Sequence, residues 1–230
     1  MTNDPKILGL ALLGGIIPSL LWLWFWLKED KKAEEPKGLL TVIFILGMVS
    51  VILVIPIQKL IQQNTTDHQL ELTLWATAEE IIKYLAVVLI LYKTNYADEP
   101  VDWPIYLMTA ALGFAAFENT LYLIKPLSLG DTIVGLLTGQ LRFLGSTLLH
   151  AVSSGIVGIF IGLSVHFGKF IKKMYLLIGL FFAIVLHTVF NFFIMKYEGT
   201  GFIKVFAFLW VVTVIIMLLF EKLRRMSSKN

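Results

Sequence analysis

The stretch Leu70–Tyr92, LELTLWATAEEIIKYLAVVLILY, is apolar over a length sufficient to cross a bilayer, yet it holds Glu79, Glu80 and Lys83 at its middle. A helix needs about 20 residues to span the hydrocarbon. An ionised side chain at that depth costs roughly 2.5–3.5 kcal/mol even on lenient insertion scales. Three such residues on adjoining turns are therefore expected to serve a task, and the fold around them has to be a membrane fold.

The rest of the chain agrees. Apolar residues make up 57 % of the sequence, charged residues 15 %, and the mean hydropathy is +0.81, whereas a soluble chain carries about 25 % charged residues. The reading is an all-α polytopic membrane protein with a single transmembrane domain over 1–230. The absence of cysteine excludes thiol catalysis, thiolate-bound zinc, disulfides and palmitoylation. Ile7–Leu27 ends in Trp22, Trp24 and Trp26 and runs into a charged loop, which describes an uncleaved first span rather than a signal peptide.

Cutting the chain at its charged and Pro/Gly-rich joints gives seven spans, near 7–27, 39–60, 70–92, 103–124, 146–166, 174–196 and 202–221. Ser128–Gln140, with three glycines and Asp131, is expected to be a short interfacial or re-entrant helix, with an early start to the fifth span as the alternative. Lys28–Lys37 reads as a solvated loop of mixed charge.

Lys and Arg accumulate on the cytoplasmic side of a membrane protein. With seven spans, one side collects Lys28, Lys31, Lys32, Lys37, Lys93, Lys169, Lys172, Lys173, Lys222, Arg224, Arg225 and Lys229. The other collects Lys6, Lys59, Lys125, Arg142, Lys196 and Lys204. Twelve against six places the N-terminus outside and the C-terminus in the cytoplasm of a plasma-membrane protein. Counting a helical rise of about 1.5 Å per residue then brings Glu79 and Glu80, Glu118, His150 and His187 to one band, roughly 6–15 Å below the outer surface. Residues four apart share a helix face, which pairs Glu79 with Lys83, Glu118 with Phe114 and Tyr122, His150 with Ser154, and His187 with Asn191. Lys83 is a counterion for either glutamate, and Arg142 stands near the outer entrance.

These residues also carry a resemblance. EExxK at Glu79, Glu80 and Lys83, GFAxxENxxY over Gly113–Tyr122, Arg142 with His150, and HxxxN at His187 and Asn191 together resemble the PrsW-type intramembrane proteases. Those are similar to type II CAAX prenyl proteases and their bacterial relatives. The chain departs from the CAAX pattern in having Lys83 where those enzymes carry an arginine one position later, and Glu118 where they carry a histidine, which favours the PrsW branch over prenylated substrates. The resemblance implies a peptidase that cuts a membrane-anchored, single-span protein such as an anti-sigma factor near the outer leaflet.

Amide hydrolysis needs an activated water, a stabilised oxyanion and a proton for the leaving amine. Glu79 or Glu80 can serve as base, His150 and His187 can position the water or give the proton, and the Asn191 amide can bind the oxyanion. Asn119, like Tyr122, reads as a supporting group. Alternatively Glu118, His150 and His187 have the ligand types of an open zinc site; no cofactor is required, and zinc is the one these donors would accept. The final HxxxN and the paired glutamates favour the metal-free form, which expects cleavage to survive a strong chelator. Buried Glu, Lys and His also make proton relays, so a small-solute or proton-coupled carrier is the rival, and a non-catalytic scaffold the third reading. Against a carrier stand the lack of an inverted repeat and a polar band off the midplane. Ser154, Gly158 and Gly162 follow a small-xxx-small pattern, which predicts close helix packing. No nucleic-acid partner is indicated, and the oligomeric state is left open.

Overall fold

The computed structural model describes residues 4–28, 35–92, 94–130, 132–196 and 202–227. Lys31, Lys32, Lys93, Asp131 and Lys229, which entered the loop reading, lie outside them. The described residues are helical throughout, with no strand. The helices are α1 (Pro5–Leu27), α2 (Lys37–Asn64), α3 (His68–Leu91), α4 (Asp102–Ser128), α5 (Thr132–Leu141), α6 (Leu148–Leu163), α7 (Lys169–Lys196) and α8 (Phe202–Ser227), with a π-helical turn at Arg142–Thr147 between α5 and α6. The seven long helices match the seven expected spans. Six of them are long and apolar enough to cross a membrane. The remaining one, α3, has the length, 24 residues, and is the helix that carries Glu79, Glu80 and Lys83.

Local chemistry sets several of the ends. Asp67 caps α3, its carboxylate accepting from the amides of Gln69 and Leu70 at 2.8 and 3.2 Å, with Glu71 in the first turn where the helix dipole favours an anion. Asp4 caps α1 in the same way, ahead of Pro5. Gly130, at φ +73°, follows α4 in the left-handed conformation that glycine adopts without a side-chain clash. The short helix expected near 128–140 is present as α5. It is joined to α6 through the π-helical turn, so the fifth span begins earlier than the expected 146.

Two helices occupy the middle. The apolar segments of α4 and of Leu137–Leu163 are 72 and 78 % buried, against 22 % for α1 and 28 % for α7. Helix α4 packs on α1, α2 and α6, while α6 packs on α7 and α8; α3 lies against α2 and α7. The main core is built on α4 and α6, from Ile105, Leu107, Met108 and Leu112 to Leu148, Leu149 and Val152. Exposed leucines and phenylalanines such as Leu53, Leu89 and Phe181 form the outer surface, as they do where lipid replaces water as the solvent.

Glycine allows the central helices to approach this closely. A Cβ on Gly47 of α2 would strike the Ala110 carbonyl of α4, and one on Gly113 of α4 would strike the Phe44 carbonyl of α2, so the two helices cross backbone to backbone. Gly158 and Gly162 do the same for α6 against Pro104 and Pro100, which is the close packing their spacing predicts. We expect Gly113→Val to cost at least about 1–3 kcal/mol through overpacking, read as a lower unfolding midpoint in detergent. Gly38→Ala, where a Cβ meets nothing within 4 Å, should leave the midpoint unchanged.

Candidate active site

Helices α2, α3, α4, α6, α7 and α8, with Leu141 of α5 and the π-helical turn, line a cavity of about 540 Å³. Its polar wall is Gln58 of α2, Glu79 of α3, Glu118 of α4, Arg142 and Ser146 of the π-helical turn, His150 of α6, and His187 and Asn191 of α7; Val51, Val54, Leu72 and Phe114 supply the apolar wall. The residues that sequence reading assigned to one depth are thus brought to one place, with one division among them: Glu79 faces the cavity and Glu80 does not.

Glu80 lies in a saturated network. Its Oε1 accepts from Lys83 Nζ at 2.7 Å, Ser153 Oγ at 2.9 Å and His187 Nδ1 at 2.9 Å, and its Oε2 accepts from Ser154 Oγ at 2.8 Å. Four donors engage the Glu80 carboxylate, and it does not line the cavity. Lys83, fully buried, is the counterion of Glu80 specifically, and it also donates to His150 Nδ1 at 3.0 Å. Helical spacing leaves the choice open, because Glu79 and Glu80 lie four and three residues from Lys83 and either can share its face; the donors from α6 and α7 single out Glu80.

Glu79 is held differently. Its Oε1 accepts from Gln58 Nε2 at 2.9 Å, and its buried Oε2 makes no hydrogen bond among the described residues. That oxygen lies 3.6 Å from His187 Nε2 and 3.9 Å from His150 Nδ1. Because Glu80 is an acceptor only, His187 Nδ1 carries the hydrogen between them and its Nε2 presents a lone pair to Glu79. Two acceptors facing each other across this gap, both buried, fit a cation.

Glu79, His150 and His187 each bring a donor atom to within 4.8 Å of the others. Two ligands at about 2.0–2.2 Å from a tetrahedral zinc lie about 3.5 Å apart, close to the separations seen. The carboxylate on the far nitrogen of His187 is the companion that metal-binding histidines use to fix their tautomer. This donor set differs from the expected Glu118, His150 and His187. Glu118 accepts from Arg142 Nη2 at 2.5 Å and lies 3.2 Å from His150 Nε2, and its charge is already matched by the guanidinium.

Arg142 is a clamp rather than an open guard at the entrance. Besides Glu118 it reaches Asn119 Oδ1 at 2.5 Å and Ser146 Oγ at 3.1 Å, and it lies over the Tyr122 ring, 3.8 Å from the centroid. Asn119 passes the connection on to Thr147 at 2.8 Å. The π-helical turn is where these bonds converge, and Trp22 of α1 ties it down through the Phe143 carbonyl at 3.1 Å. Such turns recur at functional sites. Asn191 lines the cavity on the helix face of His187. Sequence reading missed Gln58, Ser146, Ser153 and Thr147. Small polar residues in apolar helices are common, and Gln58, two residues from the outer end expected for its span, gave no depth signal.

A sequence model of PrsW family intramembrane metalloproteases matches residues 35–220. Relatives named Protease PrsW include one from Geobacillus kaustophilus, 28 % identical over 82 % of this chain and 81 % of its own length. Another, from Shouchella clausii, is 26 % identical over 94 % of this chain and 96 % of its own length. The Bacillus subtilis protein of that name is 27 % identical over 64 % of this chain and 66 % of its own. No solved structure matches the chain. The family match covers most of the sequence and includes every helix that contributes to the cavity, and on that ground the chain belongs to the PrsW family of intramembrane metalloproteases.

Proposed function

We propose that this protein is an intramembrane endopeptidase that hydrolyses a peptide bond of a membrane-anchored protein, of the single-span anti-sigma-factor type, near the outer leaflet. The observation that carries the proposal is the unpaired Glu79 Oε2 facing His187 Nε2 and His150 inside a mostly apolar cavity. A transmembrane substrate can bring its own apolar flank to such walls.

Glu79, His187 and, with its Nδ1 released from the Lys83 hydrogen bond, His150 would hold a divalent metal, which when bound supplies Lewis-acid activation of water and of the scissile carbonyl. Glu80 keeps the His187 ring in one tautomer and orientation through the 2.9 Å bond to Nδ1. Lys83, Ser153 and Ser154 hold Glu80 in place for that purpose. Glu118, aligned by Arg142 and in contact with His150, is the carboxylate at the cavity wall placed to take the proton that the attacking water loses and pass it to the leaving amine. The Asn191 amide lines the same cavity and can donate to an oxyanion. Without a metal the same Glu79 oxygen is the base. The facing acceptors favour the metal-bound form over the metal-free form preferred from sequence.

Co-expression with tagged single-span membrane proteins identifies a substrate by its shortened product. Glu79→Gln should then lower cleavage at least about 100-fold, in the range of a lost base, with an unchanged unfolding midpoint. Glu80→Gln leaves the buried Lys83 ammonium unmatched, which costs about 3–5 kcal/mol, so the midpoint should fall together with cleavage. If Glu79→Gln cleaves at the normal rate, the protease assignment of this cavity fails.

Stripping the purified protein with a strong chelator should abolish cleavage, and stoichiometric zinc should restore it. A rate unaffected by chelation would assign water activation to Glu79 alone. For topology, the natural absence of cysteine permits single-cysteine labelling. Lys59→Cys should react with an impermeant maleimide on intact cells, and Lys169→Cys only after permeabilisation; the reverse pattern would invert the orientation.

A further inference from the structure

We infer that Gln58 is a positioning residue for this hydrolysis: its side-chain amide fixes the Glu79 carboxylate so that one oxygen stays directed at His187 and His150. The inference rests on the proposed protease reading of the cavity.

Three carboxylates stand at or behind the cavity, and their partners differ in charge. Glu80 is matched by Lys83 at 2.7 Å and Glu118 by Arg142 at 2.5 Å. Glu79 is bound by a neutral amide, 2.9 Å away. A cation there would cancel the negative charge that a bound metal or an activated water requires. An amide orients the group and leaves its charge available.

Glu79 has no other hydrogen bond among the described residues, so without Gln58 its side chain could swing within the cavity. Since a carboxylate only accepts, the Nε2 end of the amide is the end that faces it.

Gln58 is itself pinned. Its backbone carbonyl accepts from Trp75 Nε1 at 3.2 Å, and Trp75 lies one turn before Glu79 on the same face of α3. Helix α2 is therefore bonded twice to that face, once through backbone and once through side chain. The rotamer of Glu79 is thus set by a helix that supplies none of the candidate metal ligands.

The test uses the full-length protein and whichever single-span protein the wild type cleaves. Gln58→Met keeps the volume and removes the donor; Gln58→Glu keeps the volume and opposes one carboxylate with another. We expect Gln58→Met to lower kcat about 10–100-fold, the usual effect of losing a partner that orients a metal ligand, with KM and the unfolding midpoint unchanged, and Gln58→Glu to lose more.

Zinc affinity, measured by competition with a chromophoric chelator, should fall by the same factor, and adding Gln58→Met to Glu79→Gln should cause no further fall. A normal kcat in Gln58→Met overturns the role. So does a loss that tracks the unfolding midpoint, or one that adds fully to Glu79→Gln, because each describes packing. Normal cleavage by Glu79→Gln instead overturns the protease reading beneath it, and this role with it.

Discussion

The structure depends on how a lysine and a glutamate are paired inside a bundle whose solvent is lipid. Glu80 and Lys83 face each other across one turn of α3, at 2.7 Å and out of contact with solvent. A buried pair of this kind is costly unless the remaining lone pairs and protons are also satisfied. Here they are, by Ser153 and Ser154 of α6, His187 of α7 and His150 of α6. Satisfying the pair requires three helices to meet at one level, and that meeting builds the wall of the cavity. The same bonds orient both imidazoles, so the groups that stabilise the buried charge also prepare the site.

Close packing makes the meeting possible. Backbone-to-backbone crossing of α2 on α4, through Gly47 and Gly113, and of α6 on α4, through Gly158, brings the central helices together at those points. Short serine and glutamate side chains then reach across. Upstream, the π-helical turn at Arg142–Thr147 carries the bonds from Arg142 to Glu118 and Asn119. The cavity is therefore rigid on the α4 and α6 side. On the α2 and α3 side it is held by the two bonds of Gln58.

Much of this was legible in the sequence. The spans followed from hydropathy because a helix in lipid must satisfy its own backbone, and all seven are helical, the fifth beginning earlier than expected. The convergence of Glu79, Glu118, His150 and His187 followed from depth, since helical rise is a constant. Ser154 was visible as the partner of His150 on one helix face and as part of a small-residue pattern, and it binds Glu80. The run 128–140 was harder to read because its glycines and Asp131 suit an interfacial turn as well as a helix, and continuity with α6 depends on what packs beside it.

The sequence by itself determined the class, the spans, the shared depth of the polar residues and, through its motifs, the family. These follow from hydrophobic length, helical period and residue identity, all of which are local. Tertiary structure alone decided which glutamate faces the cavity, which cation each carboxylate keeps, and that Glu79 rather than Glu118 joins the two histidines. Those outcomes depend on helix rotation and on contacts between residues as far apart as Glu80 and His187. Adjacent carboxylates differ by about 100° around a helix, and only the neighbouring helices determine which direction is the inside.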